Sequence, residues 1–204
     1  MRRIIAATFV SLDGVMQAPG GPQEDTEGGF AQGGWTFHYF DEALGSVMGE
    51  LFAKPFDLLL GRRTYDIFAA HWPHVGPDDP IGELFNRVTK YVATHRNDLG
   101  WENSRSLGSD VVAALNTLKQ GEGPDLLIQG SSDLIQTLLA NHLIDEYRLL
   151  IFPLVLGRGK RLFGDGTMTE ALKLVSTRSF PTGVIQAIYE PVGALKTGSF
   201  ALPD

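Results

Sequence analysis

The chain has 204 residues, 43% hydrophobic and 20% charged, the proportions of a globular protein able to bury a substantial core. With 17 Lys and Arg against 24 Asp and Glu, its formal charge is −7; the overall field repels nucleic acid and anionic membranes, so any anion site must be local. There is no cysteine, which excludes disulfides, a thiol nucleophile and cysteine-based zinc sites and agrees with a cytoplasmic location.

Met1-Arg2-Arg3 before an apolar run has the outline of a signal peptide, but the run is short and no small-residue cleavage site follows. Ile4 to Leu12 is instead predicted as a buried first strand, ending at the turn signal Asp13-Gly14. No segment approaches the roughly 20 apolar residues of a membrane span. Gln17 to Gly34, rich in Gly, Pro and acid, lacks periodicity and reads as a long loop, a feature usually functional or disordered in compact domains. Trp35, Phe37, Tyr39 and Phe40 follow in a tight aromatic run. Asp41 then caps a helix with Leu44, Val47, Met48, Leu51 and Phe52 on one apolar face.

A second strand, Phe56 to Leu60, runs directly into Gly61-Arg62-Arg63-Thr64-Tyr65, after which Ile67, Phe68 and Trp72 continue at helical spacing. Cations in a first helical turn oppose the dipole by about 0.3–1 kcal/mol each, so the placement predicts an anion there, and guanidinium groups suit a phosphate bidentately. Native carboxylates tying up Arg62 and Arg63 would remove that argument. A loop over 76–80, a short helix over Ile81 to Asn86, a strand Lys90 to Thr94 and a weaker strand within Trp101 to Leu107 come next. Ser109 is expected to cap a helix with Val111, Val112, Leu115 and Leu118 inside.

Leu126-Leu127-Ile128 then stops at Gln129-Gly130, and Ser131-Ser132-Asp133 opens a helix with Leu134, Ile135, Leu138 and Leu139 on one side. A glycine turn into a helix N-terminus is either a phosphate seat or an ordinary connection with serine caps. Glu146 to Val155 is a long apolar strand. It empties into a glycine loop, Leu156 to Phe163, with three cations, which either closes over a substrate or is a solvated turn. Leu172 to Phe180 and Val184 to Glu190 flank Pro181-Thr182-Gly183 as a hairpin.

The order is βα repeats and then antiparallel strands. It predicts an α/β chain with a mixed, mainly parallel sheet, helices on both faces and a C-terminal antiparallel hairpin. One domain is expected over residues 1–192, with a tail over 193–204. The histidines show no metal spacing, so no metal is expected.

Three strands thus end in Gly61-Arg62-Arg63-Thr64, Thr94-His95-Arg96 and Gln129-Gly130-Ser131-Ser132. The pattern resembles the dihydrofolate reductase fold. From Arg3 to about Val192 it is similar to the C-terminal reductase domain of the bifunctional riboflavin-biosynthesis deaminase-reductase and its stand-alone relatives. The specific pieces are Phe9-Val10-Ser11-Leu12-Asp13-Gly14, the Gly-Arg-x-Thr-Tyr at 61–65, and Pro153-Leu154-Val155-Leu156-Gly157-x-Gly159 with Leu162-Phe163.

The resemblance implies NADPH as hydride donor to a small heterocyclic, pteridine-like or pyrimidine-like substrate, and a homodimer. It implies that Gly61, Arg62, Arg63 and Thr64 hold cofactor phosphates, one arginine near the 2′-phosphate. Thr94, His95 and Arg96 would flank the adenosine. Gln129, Gly130, Ser131, Ser132, Asp133 and Leu134 would seat the pyrophosphate, with the first strand under the nicotinamide.

Asp13 is the candidate for polarising the substrate or relaying a proton, or else simply a turn residue. Trp35, Phe37, Tyr39 and Phe40 either wall the substrate pocket or belong to core or dimer contacts, and Gly157 and Arg158 are candidates for the closing loop. The chain departs from the pattern in having Ser131-Ser132 where dihydrofolate reductases repeat glycine. Trp35 and Asp41 imitate the folate-binding signature only loosely, which argues against folate. Without cysteine the zinc deaminase half is absent. A non-catalytic NADP(H)-binding or sensing protein is the alternative, and a site for another phosphorylated ligand is a third reading.

Overall fold

Alternation along the strands decides which residues meet. In the computed structural model, which describes residues 1–76 and 78–200, the strands are β1 (Ile4–Ser11), β2 (Phe56–Gly61), β3 (Lys90–Ala93), β4 (Ser104–Ser106), β5 (Asp125–Ile128), β6 (Glu146–Phe152), β7 (Ala171–Ser179) and β8 (Ile185–Gly193). They form one sheet in the order β4-β3-β2-β5-β1-β6-β8-β7. Neighbours from β4 to β6 pair in parallel, whereas β8 runs antiparallel to both β6 and β7. The helices are α1 (Glu42–Phe52), α2 (Arg62–His71), α3 (Pro80–Arg87), α4 (Val111–Gln120) and α5 (Ser132–Ala140). Pro77, in the predicted 76–80 loop, and residues 201–204 of the predicted tail lie outside the described residues.

Ile4, Ala6, Leu59, Leu126 and Ile128 pack with Leu115 of α4 and Leu134, Ile135, Leu138 and Leu139 of α5. The alternate residues Ile5, Ala7, Leu58, Leu60 and Leu127 pack with Tyr65 of α2 and Phe85 of α3. Side chains two apart share a sheet face, so each strand feeds two apolar layers. The predicted mixed sheet with helices on both faces is what forms, and the hairpin docks by its second strand.

Local chemistry moves several boundaries. Asp41 caps α1 by accepting from the Leu44 N–H at 2.9 Å. Asp110 rather than Ser109 caps α4, accepting from Ala113 N–H at 2.9 Å; the acid is one residue nearer the first turn. β6 stops at Phe152 because Pro153 cannot donate to the ladder. Trp101 is not in a strand: it is buried, its indole N–H donates to Asn86 Oδ1 at 2.7 Å, and the Lys90 ammonium lies 4.3 Å from its ring centre. Lys90 itself has no exposed surface and donates to the carbonyls of Phe85 and Asn86 at the end of α3. Burial pulls its pKa down to about 8.

The 17–34 loop is tied down despite its composition. The Gln17 amide donates to the carbonyls of Asp25 and Glu27, and the Trp35 indole donates to the Gln17 carbonyl at 2.8 Å. At the far side of the sheet, β7 is exposed along most of its length. Its pairing with β8 is interrupted at Ala171/Leu172 and again at Leu174/Ser176.

Candidate functional site

Two strand-to-helix junctions, β2–α2 and β5–α5, press against each other. A Cβ on Gly61 would lie 2.2 Å from Ser131 Oγ and 2.4 Å from Ser131 Cβ, so only glycine lets the junctions touch. Ser131 Oγ donates to Thr64 Oγ1 at 2.7 Å. Ser131 has φ 89°, a conformation that favours glycine and costs a serine about 1–3 kcal/mol. Its hydroxyl makes no capping bond to α5. The ordinary serine-capped connection is therefore not how this turn is built, and the N–H groups opening α5 carry the positive end of the helix dipole.

The junctions open into a cavity of about 1060 Å³, at the upper limit of the roughly 300–1,000 Å³ usual for small-molecule sites. It lies beyond the carboxyl ends of the parallel strands, where open α/β sheets generally bind ligands. One end is polar, lined by Thr64 and residues 129–133; the other is lined by Phe9, Phe40, Met48, Phe52, Phe68 and Trp72. Residues 16–25 line it as well.

An ion network closes the polar end. Arg63 pairs with Asp25 and Glu27, each at 2.6 Å, and Lys160 pairs with the same two acids at 2.8 and 2.5 Å. Partial burial raises the pKa of Asp25, but the hydrogen bond and charge of Lys160, with Arg63, outweigh it and hold the carboxyl below its usual range. Arg62 pairs with Asp66 at 2.9 Å, and Arg96 with the same carboxylate at 3.1 Å. The expectation of guanidinium groups left waiting for an anion is thus not met. The protein supplies its own carboxylates, and the arginine pair no longer argues independently for a doubly charged guest.

Of the residues proposed from sequence, Arg63, Thr64, Gln129, Gly130, Ser131, Ser132 and Asp133 line one cleft. Gly61 sits just behind it as the contact point, and Leu134 is core. Arg62 faces Asp66. Thr94 is buried at the end of β3, where its hydroxyl accepts from the Arg96 N–H at 3.2 Å, and His95 is exposed; neither they nor Arg96 reach the lining.

Asp13 lies outside the lining as well. Its carboxylate accepts from Ser11 Oγ and from the N–H groups of Leu156 and Gly157 at 2.5, 3.1 and 2.8 Å, and pairs with Arg161 at 3.5 Å. Desolvation, the largest single influence, opposes ionisation, yet the hydrogen bonds together outweigh it and bring the pKa down to about 2, so at neutral pH it has no proton to give. It anchors the 156–161 loop to the end of β1.

Trp35 and Tyr39 turn away from the cleft and pack edge-on against Phe152 at 5.2 and 5.7 Å. Phe37 is 73% exposed. Gly157 and Arg158 are exposed and off the lining, where their neighbour Lys160 takes the place expected of them. Phe40, the last of that aromatic run, does line the cleft; unforeseen lining residues are Phe9, Gly45, Met48, Gly49, Phe52 and Phe68. Two glycines one turn apart inside a helix are the signal in the sequence that marks them.

Residues 2–186 match the profile of the RibD C-terminal domain. The chain belongs to that family. YyaP of Bacillus subtilis is 31% identical over 191 residues, which make up 92% of this chain and 94% of that protein. Among solved structures, a protein of Shewanella sp. PV-4 named for riboflavin biosynthesis superposes with TM-score 0.64 at 21% identity, over 94% of this chain and 99% of that one. A dihydrofolate reductase from Enterococcus faecalis, complexed with NADP(H), superposes with TM-score 0.58 at 14% identity, over 93% and 96% of the two chains. This RibD C-terminal domain has the dihydrofolate reductase fold.

Proposed function

We propose that the protein is an NADPH-dependent reductase that delivers hydride to a small ring substrate of heterocyclic type. The observation that carries this reading is the contact of two helix-opening junctions, through Gly61, Thr64 and Ser131, at the mouth of a cavity that continues into an aromatic end. Family membership and the NADP(H) held by the Enterococcus faecalis dihydrofolate reductase support it.

The residues fit such a cofactor. Gly130 and the N–H groups that open α5 would take the pyrophosphate, with the Thr64 and Ser131 hydroxyls beside it, and Arg63 and Lys160 would serve a further phosphate in exchange for their acid partners. When bound, the dinucleotide supplies a hydride. The chain's part is to orient both rings and to keep water out with its apolar walls.

Titration of the protein's tryptophan fluorescence with NADPH and NADH tests the reading. Tight NADPH binding with its oxidation by a ring acceptor is the expected outcome; no binding of either nucleotide overturns it. A nucleotide-binding protein without turnover is the second reading, favoured by Asp13 being committed to a loop anchor rather than to the cleft. NADPH binding with no oxidation across a broad set of acceptors would favour that one.

A further inference from the structure

Among the described residues that line the cavity, the carboxylates are Glu24, Asp25 and Asp133. Two of them have positive charge beside them. Asp25 is held by Arg63 and Lys160, and Asp133 is exposed in the first turn of α5, where the helix dipole favours an anion. Glu24 has no cation partner among the described residues. Its Oε2 accepts from the N–H groups of Gly20 and Gly21 at 2.6 and 3.2 Å, which uses both lone pairs of that oxygen, while Oε1 receives no hydrogen bond from the described residues. Burial, the largest influence on this half-buried side chain, pushes its pKa above the ordinary glutamate range and the charge of Asp25 adds to the push; the two N–H groups oppose it without cancelling it. A carboxylate withdrawn from water with half of its accepting capacity unused gains from a ligand that donates.

The turn that presents Glu24 is fastened from behind. A Cβ on Gly33 would lie 2.5 Å from the Gly21 carbonyl oxygen, so only glycine lets residues 33–34 press on the turn. Gly34 N–H donates to the Ala18 carbonyl at 2.8 Å, and the hydroxyl of buried Thr36 donates to the Pro19 carbonyl at 2.7 Å. This backing segment runs on through Phe40 into α1, and both line the same cavity. Gly45, Met48, Gly49 and Phe52 of α1 line it at the i, i+3, i+4, i+7 spacing of a single face. Glycine weakens a helix interior relative to alanine, yet neither of these has positive φ and a Cβ at either would meet nothing within 4 Å. Protein packing therefore does not explain them; the volume they leave open belongs to the cavity. Phe9 and Phe40, edge to face at 5.9 Å, and Phe68 and Trp72, at 6.1 Å, give it flat walls.

We infer that Glu24 is the specificity-determining residue for the acceptor, its open oxygen taking the N–H donor edge of an amino-substituted pyrimidine or pteridine ring whose faces meet the apolar walls. Asp41 at the head of α1 does not supply this contact, because it is engaged by its own helix at Leu44 N–H and does not line the cavity. The recognition of the ring thus falls to the 17–34 loop. This deepens the reductase reading and rests on it.

The test compares 2,4-diamino-6,7-dimethylpteridine with 6,7-dimethyllumazine, the same bicycle carrying carbonyls in place of the two amino groups. Binding is followed by quenching of tryptophan fluorescence, Trp72 being in the lining. The parent is expected to bind the diamino ring at least about tenfold more tightly, since the carbonyls repel a carboxylate. Glu24→Gln should abolish that preference by weakening the diamino ring about tenfold or more while holding the lumazine as well as the parent does, and Glu24→Asp, which keeps the charge, should restore part of it. Retained lumazine binding, with the Tm, shows that each variant is folded. No preference in the parent, a preference unchanged in Glu24→Gln, or an equal loss of both rings in that variant overturns the inference, the last by assigning Glu24 to the shape of the loop alone. NADPH binding to the parent is measured separately: a Glu24-dependent preference in a protein that binds no NADPH overturns the reductase reading and leaves the assignment of Glu24 standing.

Discussion

The two ends of the cleft are built from different material. At the polar end the surface is backbone, held by contacts so close that Gly61 cannot carry a side chain. At the apolar end it is made of side chains and a bared helix face, and space remains on the open side. An anion seat needs N–H groups fixed to within tenths of an ångström, whereas a stacking surface needs area and tolerates exchange of one apolar group for another. Substitution should therefore be far more costly at the first than at the second.

Gly61→Ala is expected to have the largest effect. Its Cβ displaces Ser131, which should weaken NADPH binding at least about tenfold and destabilise the fold by about 1–3 kcal/mol, read by fluorescence titration and urea unfolding. Met48→Leu at the other end should change stability by less than about 1.5 kcal/mol and leave NADPH affinity alone. If both substitutions behave alike, the contrast between the ends is wrong. Asp25→Asn comes next. It frees Arg63 and Lys160 from one competitor, so NADPH should bind a few-fold more tightly at low salt, at about 1 kcal/mol of lost stability; unchanged affinity would mean that the acids do not compete with the ligand.

Asp13→Asn should lower stability by about 1 kcal/mol while sparing NADPH binding and turnover, since the side chain holds a loop. Because its folded pKa lies below the ordinary value, the ionised carboxylate contributes above about pH 4 and the contribution fades as pH falls toward about 2. Parent and variant should converge there in acid unfolding. A drop in turnover alone would restore Asp13 to the chemistry. The smallest change is expected for Ser131→Gly, where relief of the φ 89° strain and loss of the bond to Thr64 nearly offset each other, giving a Tm within a few degrees of the parent's.

The same contrast explains what the sequence made legible. Leu126 to Ile128, then Gly130, then a helical apolar period form a local signal for a strand, turn and helix, and the sheet and its layers follow from such runs. The partners of Arg63 are a different matter. Asp25 and Glu27 sit more than 30 positions before Arg63 in a stretch with no periodicity, so nothing local announces that the charges cancel. Trp35 and Tyr39 share their spacing with any pocket wall, and only the fold reveals that Phe152 receives them. The apolar end was hidden because Phe52 and Phe68 read as core. Gly45 and Gly49 were the exception, two weak helix formers where the periodicity had no use for them.

The interrupted pairing of β7 has a consequence for the protein in crowded solution. An outermost strand nine residues long offers a row of main-chain groups to any other extended chain. Here the extra residue Val175 breaks that row, and Lys173 adds positive charge. A straightened β7 stripped of that cation would be a template for fibrous growth, so the irregularity acts as a safeguard that keeps the longer of the sheet's two open edges from recruiting strangers.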